Sequence, residues 1–274
     1  DWSSDVCSSD LSKLHVTVLI SIFILYCFQV MRYDHEYLKI ALTILSSDLN
    51  HVSKEVFTML EKIKDPGSAI THFIGMLMAM FAATPLIIKS LHEPDYIHVI
   101  SLTVFIVSMI LLYAASTIYH TLNLSERTNR ILRKLDHSMI FVLIAGSYTP
   151  ICLIVLKGPV GYFLFALVWA IALIGIIVKI CWITCPKWFS SVLYISMGWV
   201  CVLAFTQIVN SLSPAAFGWL LAGGIIYTVG GIIYALKVPL FDAKHKNFGS
   251  HEIFHLFVMA GSACHFILMY VYIA

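Results

Sequence analysis

His251 and His255 stand four residues apart in the run Ser250-His251-Glu252-Ile253-Phe254-His255. On a helix that spacing sends two imidazoles from one face, close enough to reach a single ion. His120 closes the run Ser116-Thr117-Ile118-Tyr119-His120 and offers a third nitrogen, while Asp136 and His137 open another apolar run. Three neutral imidazoles with an open fourth position form the ligand set of a catalytic zinc, whereas a closed structural site takes four protein ligands, usually with cysteine among them. The expectation is one Zn2+ per chain, held by His120, His251 and His255. Asp136 would hydrogen-bond a water at the open position, and Ser116, one turn before His120, would orient a ligand or substrate oxygen.

Each residue also has a plainer reading. Asp136 at a helix start complements the helix dipole, and a single His120 is an ordinary hydrogen-bonded interface residue. The four-residue spacing, together with a histidine and an aspartate at the same membrane depth, favours the metal. His137 projects about 100° away from Asp136 around a helix and ranks below the other three histidines. His72 and His98 are expected near other ends of their helices and His265 in mid-span, so all three read as polar packing residues. Residues 251 to 255 also spell HExxH, the zinc-protease signature with Glu252 as general base. Glu252 projects about 100° from His251, which keeps proteolysis a minor alternative.

The elements that must position these groups are hydrophobic. Of 274 residues, 60% are hydrophobic and 12% charged, against roughly 45–50% and about 25% in soluble domains. A soluble globule is excluded on that balance. The formal charge of +2, without a basic tract to neutralise a row of phosphates, argues against nucleic acid as a partner. The seven cysteines are an odd number, lie mostly in apolar runs and form no paired CxxC knuckle, so they read as small hydrophobes.

Seven apolar runs approach the roughly 20 residues that cross a bilayer as a helix: about 68–88, 96–119, 137–156, 160–179, 189–209, 216–236 and 252–273. They are continuously apolar and do not alternate, which excludes a β-barrel. The fold class is therefore all-α, a polytopic membrane protein built as a seven-transmembrane helix bundle. Basic residues set its orientation, because Lys and Arg in short loops stay cytoplasmic. One side collects Lys54, Lys62, Lys64, Arg127, Arg130, Arg133, Lys134, Lys179, Lys187, Lys237, Lys244 and Lys246; the other has Lys89 and Lys157. That places the chain in the plasma (inner) membrane with its N-terminus cytoplasmic, its C-terminus outside and the histidines and Asp136 on the cytoplasmic side. Gly223, Gly224, Gly230 and Gly231 fall near one face of the sixth span and are expected to pack closely on a neighbour. Pro85 and Pro150 lie inside spans one and three, where a lost backbone donor bends a helix or frees a carbonyl.

Residues 1–11 lack periodicity and look like a translated sequencing adapter. Residues 12–58 form a separate upstream segment with a candidate extra hydrophobic helix at 14–31, and Met59 is a reasonable start for the domain spanning 59–274.

From about residue 59 onward the chain resembles the hemolysin III family, within the superfamily of progestin and adipoQ receptors and alkaline ceramidases. The resemblance is carried by KIKDPGSAITHFIG at 62–75, ASTIYH at 115–120, LRKLDHSMIFVLIAGSYTP at 132–150 and GSHEIFH at 249–255. It implies a seven-helix bundle with zinc near the cytoplasmic face, held by His120, His251 and His255, with Asp136 acting through water and Ser116 beside it. Three functions compete besides proteolysis. A zinc-dependent hydrolase of lipid amides or esters would use the ion to activate water and Asp136 to take its proton. A non-enzymatic sensor or stress protein would use zinc to staple spans two, three and seven. A pore-forming cytolysin would need a polar stripe that none of the seven spans displays. Membrane lipids are the expected partners.

Overall fold

The computed structural model describes residues 63–236 and 249–274. The expectations for residues 1–58 and for the loop carrying Lys237, Lys244 and Lys246 lie outside these residues. The described chain is all-α, and seven of its helical segments are long and apolar enough to cross a membrane.

Helix α1 (Pro66–Ser90) opens on a proline at its first position, where the missing N–H costs nothing. Helix α2 (Tyr96–Thr121) is capped by Asp95, whose carboxylate accepts the Ile97 N–H at 3.0 Å. Helix α3 (Glu126–Pro150) starts at Ser125, whose hydroxyl accepts from Thr128 N. It begins eleven residues before the expected span at 137, because its first turns carry Arg127, Arg130, Arg133 and Lys134. Hydropathy detects only the part of a helix that sits in hydrocarbon. At Pro150, which has no N–H to donate, the α-helix passes into a wider π-helical turn, Ile151–Leu156.

Helix α4 (Gly158–Cys181) is apolar nearly throughout. Helix α5 (Lys187–Gly198) does not continue as one rod: the chain tightens into a 3-10 segment, Trp199–Ala204, then resumes as a short helix, Phe205–Ser211. Tyr148 of α3 holds this break, its hydroxyl donating to the Gly198 carbonyl at 2.6 Å and accepting the Cys201 N–H at 2.8 Å. Nothing in the hydropathy of 189–209 announces the interruption.

Helix α6 (Pro214–Leu236) and helix α7 (Ser250–Ile267, continued by a π-helical turn Leu268–Ile273) pack closely. The glycines explain the approach, though on more than one face. A methyl group at Gly223 would overlap the His265 ring, and one at Gly230 would overlap the Cβ of Phe257, both on α7. Gly231 instead meets Ile195 of α5, and Gly224 meets nothing.

Short connections make successive helices antiparallel. Neighbours pack α1 on α2, α2 on α3, α3 on α4 and α5, α5 on α6 and α6 on α7, and the ring closes where α7 meets α1. The starts of α1, α3, α5 and α7 therefore share one end with the close of α2. At the opposite end Lys89 donates to the Tyr270 carbonyl. Large apolar side chains such as Phe81, 79% exposed, and Leu203, 69% exposed, cover the outside. A surface of that kind needs a lipid environment.

Candidate metal centre

The end of α2 and the first turns of α7 bring His120, His251 and His255 together. Each offers one ring nitrogen within 4.8 Å of the others. The Nε2 atoms of His120 and His251 lie 3.2 Å apart, and the ring centres of His251 and His255 are 4.5 Å apart. His120 and His255 are buried, His251 half-buried. Among the described residues this is the group that could hold a metal ion.

The back of the His120 ring is fixed by a residue that sequence reasoning missed. Its Nδ1 lies 2.9 Å from Oδ2 of Asp65, the residue before α1. An ionised carboxylate only accepts, so Nδ1 carries the proton and Nε2 presents its lone pair toward His251. The hydrogen bond from His120, with Lys64 Nζ 3.8 Å away, holds the Asp65 carboxyl below the usual carboxylate range despite partial burial. The backbone repeats the link: Asp65 N donates to the His120 carbonyl at 2.9 Å, and Lys64 Nζ stands 3.5 Å over the Tyr119 ring. An acidic residue just ahead of a proline helix start, at the depth of His120, was the available signal.

His72 departs from the expectation of a packing residue at another helix end. Helix α1 begins at Pro66, so His72 lies within two turns of the end that carries the site. Its ring stacks on His255 with centres 3.7 Å apart and planes 10° from parallel, and its edge meets Tyr113. Neither nitrogen of His72 has a hydrogen-bond partner among the described residues. His98 stays near the start of α2, at the opposite end.

Asp136 is buried in the third turn of α3, with Oδ2 3.3 Å from His137 Nδ1. The His137 Nδ1 also reaches the Arg133 carbonyl at 2.9 Å. Asp136 and His137 share the wall of a cavity of about 20 Å³ with His72, His251 and His255. That is room for one water molecule among several polar groups. Ser116 is fully buried one turn before His120, its hydroxyl lacks a partner among the described residues, and it stands outside that wall. Glu252 turns away from the histidines. Its Oε1 accepts from the Ser68 hydroxyl at 2.6 Å and its Oε2 from the Gly249 N–H at 2.8 Å, so both oxygens tie down the start of α7.

A larger cavity of about 170 Å³ runs between α3, α5, α6 and α7. Leu112, Ile140, Tyr194, Phe254 and Val258 line both cavities, so the two adjoin. The break in α5 borders the space, with Gly198, Cys201 and Val202 on its wall.

The family model described as "Haemolysin-III related" matches residues 60–266. The chain is 41% identical over 217 residues to the hemolysin-3 homolog of Bacillus subtilis (strain 168), covering 79% of this chain and 96% of that protein. It is 37% identical over 224 residues to hemolysin-3 of Bacillus cereus, covering 81% and 98%. A more distant match, 27% identical over 225 residues, is an adiponectin receptor protein of Drosophila melanogaster, covering 74% of this chain and 49% of the receptor. With its seven spans and its matched length, the chain belongs to the haemolysin-III-related family of integral membrane proteins.

Proposed function

We propose that this protein is a zinc-dependent hydrolase of lipid amides or esters, working at the cytoplasmic face of the membrane. The observation that carries the reading is the trio of imidazoles beside a buried carboxylate, at the mouth of an apolar cavity. Two nitrogens bound to one tetrahedral ion at about 2.0–2.1 Å stand roughly 3.3 Å apart. The 3.2 Å between Nε2 of His120 and Nε2 of His251 fits that requirement. Three nitrogen donors without a thiolate leave a fourth position free, as a catalytic site needs.

His120, His251 and His255 would hold the ion, and Asp65 keeps His120 in the tautomer that presents Nε2. When bound, zinc supplies Lewis acidity that polarises a carbonyl and makes water more acidic. The chain supplies the rest. The one-water cavity would fix a water between Asp136 and the histidines; the Asp136 carboxylate accepts its proton as it attacks the carbonyl, and returns that proton to the amine or alcohol as the scissile bond breaks. Burial of Asp136 keeps bulk water from competing for that carboxylate. The apolar cavity takes the hydrocarbon of the substrate, which places the scissile carbonyl where the two cavities adjoin.

Orientation follows the charge pattern. Lys64, Arg127, Arg130, Arg133, Lys134, Lys179 and Lys187 gather at the histidine end, Lys89 and Lys157 at the other, so the histidine end faces the cytoplasm. The experiment is release of fatty acid from a panel of lipid amides and esters by zinc-loaded protein. Turnover that disappears in Asp136→Asn supports the hydrolase. Stoichiometric zinc without turnover on any member of the panel would leave the ion a staple between α2 and α7 and overturn it.

A further inference from the structure

Tyr234 and Arg133 are polar groups beside the histidines that the chemistry above leaves unused. Tyr234, near the close of α6, is 7% exposed and lines the one-water cavity with Asp136, His137 and His251. Its ring centre lies 5.6 Å from that of His251. Among the described residues its hydroxyl has no hydrogen-bond partner, yet it is not sealed off as the hydroxyl of Ser116 is.

Arg133 stands three residues before Asp136 and four before His137, so the three share one face of α3. It is half-buried, and its guanidinium has neither a hydrogen bond nor an ion pair among the described residues. Its charge acts on the Tyr234 hydroxyl and on the Lys179 amine, which places the guanidinium over the bundle instead of out in water. Lys187, at the start of α5, completes the rim: its Nζ lies 4.6 Å over the Tyr234 ring, and its charge reaches His251. Two cations and a phenol hydroxyl thus converge on one side of the metal centre, with donors directed to the same place. Such a set recognises an anion.

We propose that Arg133, Lys187 and the Tyr234 hydroxyl bind the carboxylate of an N-acyl amino acid, whose amide is the bond cleaved at the histidines. The inference rests on the lipid-hydrolase reading and names its substrate class. The planar guanidinium fork matches a carboxylate. In an N-acyl amino acid the carboxylate sits one carbon from the amide nitrogen, and Tyr234 is correspondingly close to His251. A phosphate on a longer headgroup stands farther out. The oxygen of water joins the acyl carbon and the C–N bond breaks. The nitrogen takes back the proton held by Asp136 and leaves as the free amino acid, with no oxidant or reductant consumed.

The test is hydrolysis of an equimolar mixture of N-lauroylglycine and uncharged N-lauroylethanolamine by the zinc-loaded full chain, where the ratio of initial rates gives the ratio of kcat/KM. The parent should favour the glycine amide about tenfold, as expected of one charge-assisted hydrogen bond. Arg133→Gln should bring the ratio near one. Lys134→Gln, which removes the same charge about 100° away around the helix, should leave it unchanged. Should Arg133→Gln fail to fold, Tyr234→Phe, which keeps the ring under Lys187, should cut the ratio several-fold. A second readout needs no turnover: on zinc-loaded Asp136→Asn, N-lauroylglycine should raise the melting temperature more than N-lauroylethanolamine does, and adding Arg133→Gln should abolish the difference. Equal rates with equal melting shifts, or a preference that survives in Arg133→Gln, would overturn the inference and leave the hydrolase reading standing. Faster hydrolysis of the phosphate ester of N-lauroylethanolamine would overturn the assignment to a carboxylate. Turnover of neither amide would overturn the hydrolase reading for amides, and the melting shift would then decide the carboxylate site alone.

Discussion

His120 and Asp65 are 55 residues apart in sequence, yet the imidazole Nδ1 meets the carboxylate Oδ2 at 2.9 Å, and the backbone N–H of Asp65 donates to the carbonyl of the same histidine. The segment before α1 is thereby fastened to the end of α2 twice, once through the ring that faces His251. A histidine held from behind by a carboxylate has a fixed tautomer and a more basic metal-facing nitrogen.

Asp65→Ala should therefore weaken metal binding by roughly 10 to 100-fold, the range for loss of a carboxylate behind a metal-binding histidine. Asp65→Asn keeps an oxygen acceptor and should recover part of that loss. Competition with a chromophoric chelator measures both, and equal affinity in the parent and Asp65→Ala would show that the contact does not orient His120.

Asp136 should separate metal binding from turnover. It lines the one-water cavity without belonging to the group of converging imidazoles. Asp136→Asn should keep most of the metal and lose lipid hydrolysis, because the proton acceptor is gone. Loss of the metal itself, read by elemental analysis, would make Asp136 a ligand.

The broken α5 gives a stability prediction independent of any metal. Tyr148→Phe removes the hydroxyl that joins the Gly198 carbonyl and the Cys201 N–H. Leaving those two groups unpaired should cost about 1–3 kcal/mol, seen as a lower melting temperature in detergent. An unchanged melting temperature would mean that the break in α5 holds without this link.

Orientation is tested by single cysteines at Ser125, at the start of α3, and Ser213, between α5 and α6. In an otherwise cysteine-free background, a membrane-impermeant thiol reagent added to intact cells should label Ser213→Cys and spare Ser125→Cys. Labelling of Ser125→Cys from outside would reverse the bundle and the site with it.

Much of this architecture was legible in the residues. Continuous apolar runs of membrane-spanning length gave all seven spans, and the four-residue step from His251 to His255 put two imidazoles on one face. What escaped were features set by three-dimensional contact. Asp65 lies outside every apolar run, and its role depends on α1 and α2 meeting at their ends. The span expected at 68–88 already sets His72 near this end; its stacking on His255 depends on α7 closing against α1. The interruption of α5 is bridged by Tyr148 from another helix, a contact that hydropathy does not encode.

The central claim is that His120, His251 and His255 hold one zinc ion per chain. Elemental analysis of purified full-length protein, paired with thermal melting before and after chelation, tests it most directly. The account predicts about one zinc in the parent, little in His255→Ala, and a melting temperature that chelation lowers in the parent but hardly moves in the variant, since an ion bound only to the folded state stabilises it. Parent protein purified without chelator that holds no zinc, or His255→Ala that holds it stoichiometrically, would contradict the account.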